Sequence, residues 1–174
     1  GGICPCCGVV NAMEDIRAEG MAERIGATLT AVIVDGPAGK EYRLPTKTEV
    51  ETAAVSTDIL SQPFHDIPFG VPNERLPGKE ALGFRVPLYG FRTWDQLFTS
   101  RQLLALGTFL QCLRAGQRSM RADCYPRDWL EAISCFLACS VDKLVDHCCA
   151  ICSWNVPNEQ VRQVFTRFAL PMTW

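Results

Sequence analysis

The 174-residue chain predicts an α+β fold, and three observations carry that expectation. A β-branched run at residues 28–34 faces a return run at residues 41–44 across an Asp-Gly-Pro-Ala-Gly turn, the pattern of a β-hairpin. Five prolines (Pro63, Pro68, Pro72, Pro77 and Pro87) forbid long regular elements over residues 56–89. From residue 99 onward apolar residues recur at steps of three and four, the period of helices that bury one face. The expected organisation is a knuckle-like start, β-hairpin and short helix over 1–55, a proline-rich connector over 56–89, and a packet of about four helices over 90–174.

Each element has a local reason. Residues 13–24 alternate charge with Ile16, Ala18 and Met21, but Gly20 and Gly26 interrupt them, so a weak helix or irregular segment is expected. Thr46 and Glu49 stand in capping-box register and predict a short helix to about Val55. Thr93 with Gln96, and Thr99 with Gln102, repeat that signature and predict two successive helices, the second ending near Gly116 with a link over 117–125. Pro126 suits the first turn of a helix, where its missing amide hydrogen would have no partner anyway. A long amphipathic helix over 126–153 follows, with Leu130, Ile133, Leu137, Val141, Leu144, Cys148 and Ile151 on one face, then a final helix over 158–168 carrying Val161, Val164, Phe165 and Phe168.

Composition narrows the function classes. With 48% hydrophobic and 21% charged residues the chain has material for a core, and no stretch approaches the roughly 18 consecutive apolar residues of a membrane span. The first residue is Gly1, and residues 170–174 are apolar, which together suggest a piece of a longer protein. The formal net charge of −2 conceals an asymmetry: −5 over residues 1–80, +5 over 81–127 and −2 over 128–174. All seven cations of the middle part are arginines, whose planar fork of donors suits phosphate and base edges. Arg92, Arg101, Arg114, Arg118 and Arg121 are therefore the candidate nucleic-acid contacts, against the plainer alternative of arginines on solvated helix faces or paired with the acidic first part. Trp94 and Trp154 are candidates to stack on a base, or simply core residues beside Leu97 and Ile151.

Ten cysteines fall into two groups. Cys4-Pro5-Cys6-Cys7-Gly8 resembles a zinc knuckle, in which two thiolates share one metal and the glycine permits a turn that aims amides at sulfur. Cys4 and Cys7 are the candidate zinc ligands, but tetrahedral zinc takes four, and the first 60 residues hold no second pair; either a partner pair lies upstream or the thiols are free. Cys135, Cys139, Asp142, Asp146 and Cys149 fall at helical spacing on the face opposite the apolar stripe, where they form either a soft-metal or redox site or a second packing face. Residues one turn apart on a helix make poor disulfides and no secretory signal is visible, so the expected compartment is the reducing cytoplasm. A Cys-His enzyme is not favoured, because His147 and Cys148 are adjacent and point apart on a helix, leaving His65 to be brought across the fold.

The run from Tyr89-Gly90-Phe91-Arg92-Thr93-Trp94 to Leu103-Leu104-Ala105-Leu106 resembles a segment of large prokaryotic adenine-specific DNA methylases that contain a zinc ribbon. Val141-Asp142-Lys143-Leu144 leading to Cys152-Ser153-Trp154, and Arg167-Phe168-Ala169-Leu170-Pro171-Met172-Thr173-Trp174, are similar to stretches of that family in the same order. The opening from Cys4 to Gly20 resembles the second half of its ribbon. The resemblance covers nearly the whole chain and is weakest over residues 56–84. It implies a non-catalytic insert between the cofactor motif and the catalytic motif of a restriction-modification type enzyme, with S-adenosylmethionine held by the parent and DNA as partner. The chain itself has neither a Gly-rich loop after a strand nor an Asn-Pro-Pro-aromatic motif, so no catalysis is expected of it alone. An interaction or scaffolding module docking on the remainder of the methylase, or on a partner protein, is the alternative.

Overall fold

The computed structural model describes residues 2–78, 80 and 85–162. The fold is α+β, with small antiparallel hairpins and short helices leading into a C-terminal helical packet. β1 (Gly2–Ile3) and β2 (Val10–Asn11) pair around the cysteine turn, with Gly2 opposite Asn11 and Ile3 opposite Val10. α1 (Met13–Met21) starts with Glu14 and Asp15 in its first turn, where carboxylates favour the helix dipole. β3 (Val32–Gly36) and β4 (Gly39–Arg43) form the expected hairpin, which is tighter than expected: Asp35 and Gly36 belong to the strand, and only Pro37 and Ala38 turn. α2 (Lys47–Ala53) begins with the expected capping box, Glu49 N donating to Thr46 Oγ1 at 3.3 Å and Thr46 N to Glu49 Oε2 at 2.8 Å. Arg43 grips the same carboxylate at 2.8 and 2.6 Å, and with the Thr46 amide holds the Glu49 pKa down to about 2.

The connector is more ordered than its prolines imply. Ser56 caps α3 (Thr57–Ser61), Ile59 N donating to its hydroxyl at 3.4 Å, and a 3-10 turn at Gln62–Phe64 continues it. Five residues are too few to leave a periodic trace. Further on, Leu76 N donates to Arg92 O, Trp94 N to Glu74 O and Asp95 N to Pro72 O, at 2.8, 3.1 and 2.9 Å, stitching the connector to the start of the helical part. Leu76 and Val86 from the connector join Leu97, Cys149 and Ile151 in the main core cluster, against which Phe91, Trp94 and Phe98 pack.

The packet departs from expectation in four places. The helix expected from Thr93 is a single 3-10 turn (Asp95–Leu97), because Phe98 is extended and Thr99 already caps the next helix. That helix, α4 (Ser100–Ala122), passes through Gly116 instead of stopping there, and the link shrinks to residues 123–126. A glycine inside a helix costs only about 1 kcal/mol, too little to end α4 by itself. α5 (Arg127–His147) ends well before residue 153, because the Leu97 carbonyl accepts Ala150 N at 2.8 Å and Cys149 Sγ at 3.0 Å and draws the chain out of the helix. In place of the expected final helix, a 3-10 turn (Val156–Asn158) and a left-handed Glu159 (φ 46°) lead into β6 (Gln160–Arg162), paired with β5 (Ser153–Asn155); residues 163–168 of that expectation lie outside the described residues. Tyr42 meets Trp154 edge-on at 6.1 Å, and Lys40 Nζ donates to Glu159 O at 2.6 Å, so this hairpin docks on β3–β4.

Two glycines allow α1 to reach the core. A Cβ on Gly20 would collide with Tyr89 O, and one on Gly90 (φ +89°) with Gly20 O. The backbones meet directly, and Tyr89 completes the joint, its hydroxyl on Met13 Sδ at 3.2 Å and its ring 5.7 Å from the Arg17 guanidinium. Gly90→Ala, which adds both a clash and a strained φ, is expected to destabilise by about 3 kcal/mol in urea unfolding, whereas Gly116→Ala, with open space around it, is expected to stabilise slightly. Equal effects at the two positions would contradict this packing.

Candidate nucleic-acid interface

α4 spans 23 residues and holds Arg101, Arg114, Arg118 and Arg121 without one carboxylate. Arg114, Arg118 and Arg121 follow at steps of four and three, which puts them on one side of the helix. The side chains of Arg118 and Arg121 are exposed and make no hydrogen bond or ion pair with a described residue. Arg114 is half-buried, and its Nε has no partner among the described residues. The helix rises 1.5 Å per residue, so Arg101 sits about 25 Å from Arg118, near the opposite end of α4. Arg92 lies in the stitched segment, its amide donating to Gln96 Oε1 at 2.6 Å while its side chain is exposed. The structure thus gathers three of the five candidate arginines and leaves Arg92 and Arg101 at the core end.

Sequence reasoning passed over two residues at the gathered end, Tyr125 and Arg127. Their signal was the short link itself: a helix restarting directly after Pro126 brings the first turn of α5 beside the last turn of α4. Arg127 Nε donates to Glu131 Oε1 at 2.7 Å, so it is already part-neutralised. Trp94 packs against the core cluster and Trp154 against Tyr42, which places both candidate stacking residues in packing roles.

The opening cysteines form a real turn. Gly8 N donates to Cys4 O at 2.8 Å, Cys4 N to Val9 O at 2.9 Å, and Gly8 adopts φ +73°. Backbone amides of Cys7 and Cys6 and the Cys7 thiol all turn toward Cys4 sulfur and lower its pKa. Cys4 and Cys7 share this turn, and among the described residues no group of three or more metal-ligating side chains is assembled. The second cysteine group divides. Cys135 and Cys139 are exposed on α5, whereas Cys149, expected on their face, lies past the helix end in the core, its pKa pushed up to about 12 by burial. Burial also raises Cys148 and Cys152, with Arg101 opposing the rise at Cys148. His147 Nδ1 lies 3.0 Å from Lys143 O and His65 pairs with Asp66; neither hydrogen-bonds a thiol.

In comparisons with known proteins, no family model, curated protein or solved structure matches the chain. Among the described residues, no helix is long and apolar enough to cross a membrane. The charge and shape of the helical hairpin are therefore what bear on function.

Because only the thiolate reacts with alkylating agents, the lowered pKa of Cys4 and the raised pKa of Cys149 set an order. Under limiting iodoacetamide at neutral pH, Cys4 is expected among the first thiols modified and Cys149 the last, as followed by peptide mass mapping. Modification of Cys149 as fast as Cys4 in the native protein would contradict both environments.

Proposed function

We propose that this chain is a non-catalytic insert of an S-adenosylmethionine-dependent DNA adenine methyltransferase, and that it contributes DNA binding through the C-terminal half of α4. The observation that carries the reading is a 23-residue helix with four arginines and no acid, three of the arginines on one side. A surface kept monomeric and soluble by charge alone has no need to exclude carboxylates, whereas a phosphate-binding face does, because each acid would repel the backbone it meets. Arginine rather than lysine adds bidentate geometry toward phosphate. On this reading the methyl donor and the catalytic motif belong to the remainder of the parent enzyme, zinc is a matter for the parent's complete ribbon, and the compartment is the cytoplasm, where ten thiols stay reduced.

A second reading, an interaction module docking on the methylase core or on another protein, draws on a different observation. Trp129 and Phe136, seven residues apart on α5, are 65% and 76% exposed. The two readings use different helices of one hairpin.

Fluorescence polarisation of a labelled duplex against salt concentration separates them. Phosphate contacts release counterions, so affinity is expected to fall steeply with salt, and replacing Arg114, Arg118 and Arg121 by alanine is expected to flatten the log–log slope by roughly 0.9 for each phosphate no longer neutralised. The double variant Trp129→Ala/Phe136→Ala is expected to leave the slope unchanged. Absence of binding at low salt, or affinity indifferent to salt, would overturn the DNA reading.

A further inference from the structure

The last turn of α4, the link and the first turns of α5 surround a groove of about 440 Å³ lined by Arg121, Tyr125, Arg127, Leu130 and Glu131. It is an open surface groove, wider than a bare phosphate needs. Its lining is mostly polar, with Leu130 half-buried and Tyr125 47% exposed as its apolar and aromatic members. Arg127 and Glu131 neutralise each other at 2.7 Å, leaving Arg121 as the unpaired cation.

The groove therefore carries a formal charge of +1 beside an aromatic surface. A phosphodiester carries one negative charge, whereas a phosphomonoester carries about −1.5 to −2 at neutral pH. The Glu131 carboxylate, fixed by Arg127, opposes the second charge and can accept a hydrogen bond from a base amine. A base inside a duplex cannot turn its face to Tyr125; an unpaired one can. We infer that this groove seats one nucleotide unit of a single strand, with its phosphodiester on Arg121 and its base against Tyr125 and Leu130. The inference rests on the nucleic-acid reading of α4 and adds to it a strand state and a diester preference.

Calorimetric titration of the whole chain with the dinucleoside monophosphate d(ApA), with dAMP and with inorganic phosphate tests it. d(ApA) is expected to bind more tightly than dAMP, and inorganic phosphate weakest of the three. Tyr125→Ala is expected to weaken d(ApA) about tenfold, within the range of base–aromatic stacking, while Tyr125→Phe, which keeps the ring, binds as the parent chain does. Glu131→Gln, which also frees Arg127, is expected to raise affinity for dAMP several-fold and by more than for d(ApA), narrowing the preference for the diester. Inorganic phosphate binding as tightly as d(ApA), Tyr125→Ala without effect, or no d(ApA) binding at millimolar concentrations would each overturn the inference. Duplex binding in the salt titration alongside a failed d(ApA) titration removes the groove alone; d(ApA) binding without salt-sensitive duplex binding removes the α4 reading and keeps the groove.

Discussion

One carbonyl oxygen organises the second half of this protein. Leu97 O lies in the short 3-10 turn before α4, and it accepts both Ala150 N and Cys149 Sγ from the segment after α5. The start of one long helix is thereby tied to the end of the other, and Leu97, Cys149 and Ile151 enter the same core cluster. The thiol suits this place because it is small, apolar enough to bury, and still able to donate weakly to the carbonyl. Burial keeps it protonated, which preserves the donor.

The tie explains why the described core gathers at one end of the hairpin. The buried residues of α4 are Leu103, Leu106 and Gly107, all near its first turns, and no residue of α5 is fully buried. Phe64 fills the space over Gly107, its ring standing 2.7 Å from where a Cβ would be. Among the described residues, α4 and α5 pack mainly on each other beyond this second packing point, and Arg114, Arg118 and Arg121 lie in that far half. The glycine contact between α1 and the Val86–Tyr89 turn anchors the N-terminal part to the same core end. Core and cationic surface are thus segregated along one pair of helices, so a ligand at the tip would not have to disturb the packing that holds the pair.

Much of the fold was legible from local rules. The Thr46–Glu49 and Thr99–Gln102 boxes, the β3–β4 hairpin and the two long helices all follow from residues close in sequence. What escaped was decided at long range or by elements too short to be periodic. The α5 terminus depends on a carbonyl some 50 residues earlier, α3 is only five residues long, and β6 replaces part of an expected helix because β5 and the Lys40–Glu159 contact capture it. The candidate site was legible in part: helical spacing alone unites Arg114, Arg118 and Arg121, but the role of Tyr125 and Arg127 needed the hairpin geometry. Helical spacing misplaced Cys149, because the helix ends just before it.

The central proposal is that the arginine face of the hairpin meets DNA. The most direct measurement is a titration of ¹⁵N-labelled chain with an unlabelled duplex at low salt, read as amide shift changes along the backbone. Binding through the arginine face predicts changes concentrated from Arg114 to Arg127, with the exposed α5 face around Phe136 and the β3–β4 hairpin unmoved. Changes centred on Phe136, spread evenly over the surface, or absent altogether would contradict it.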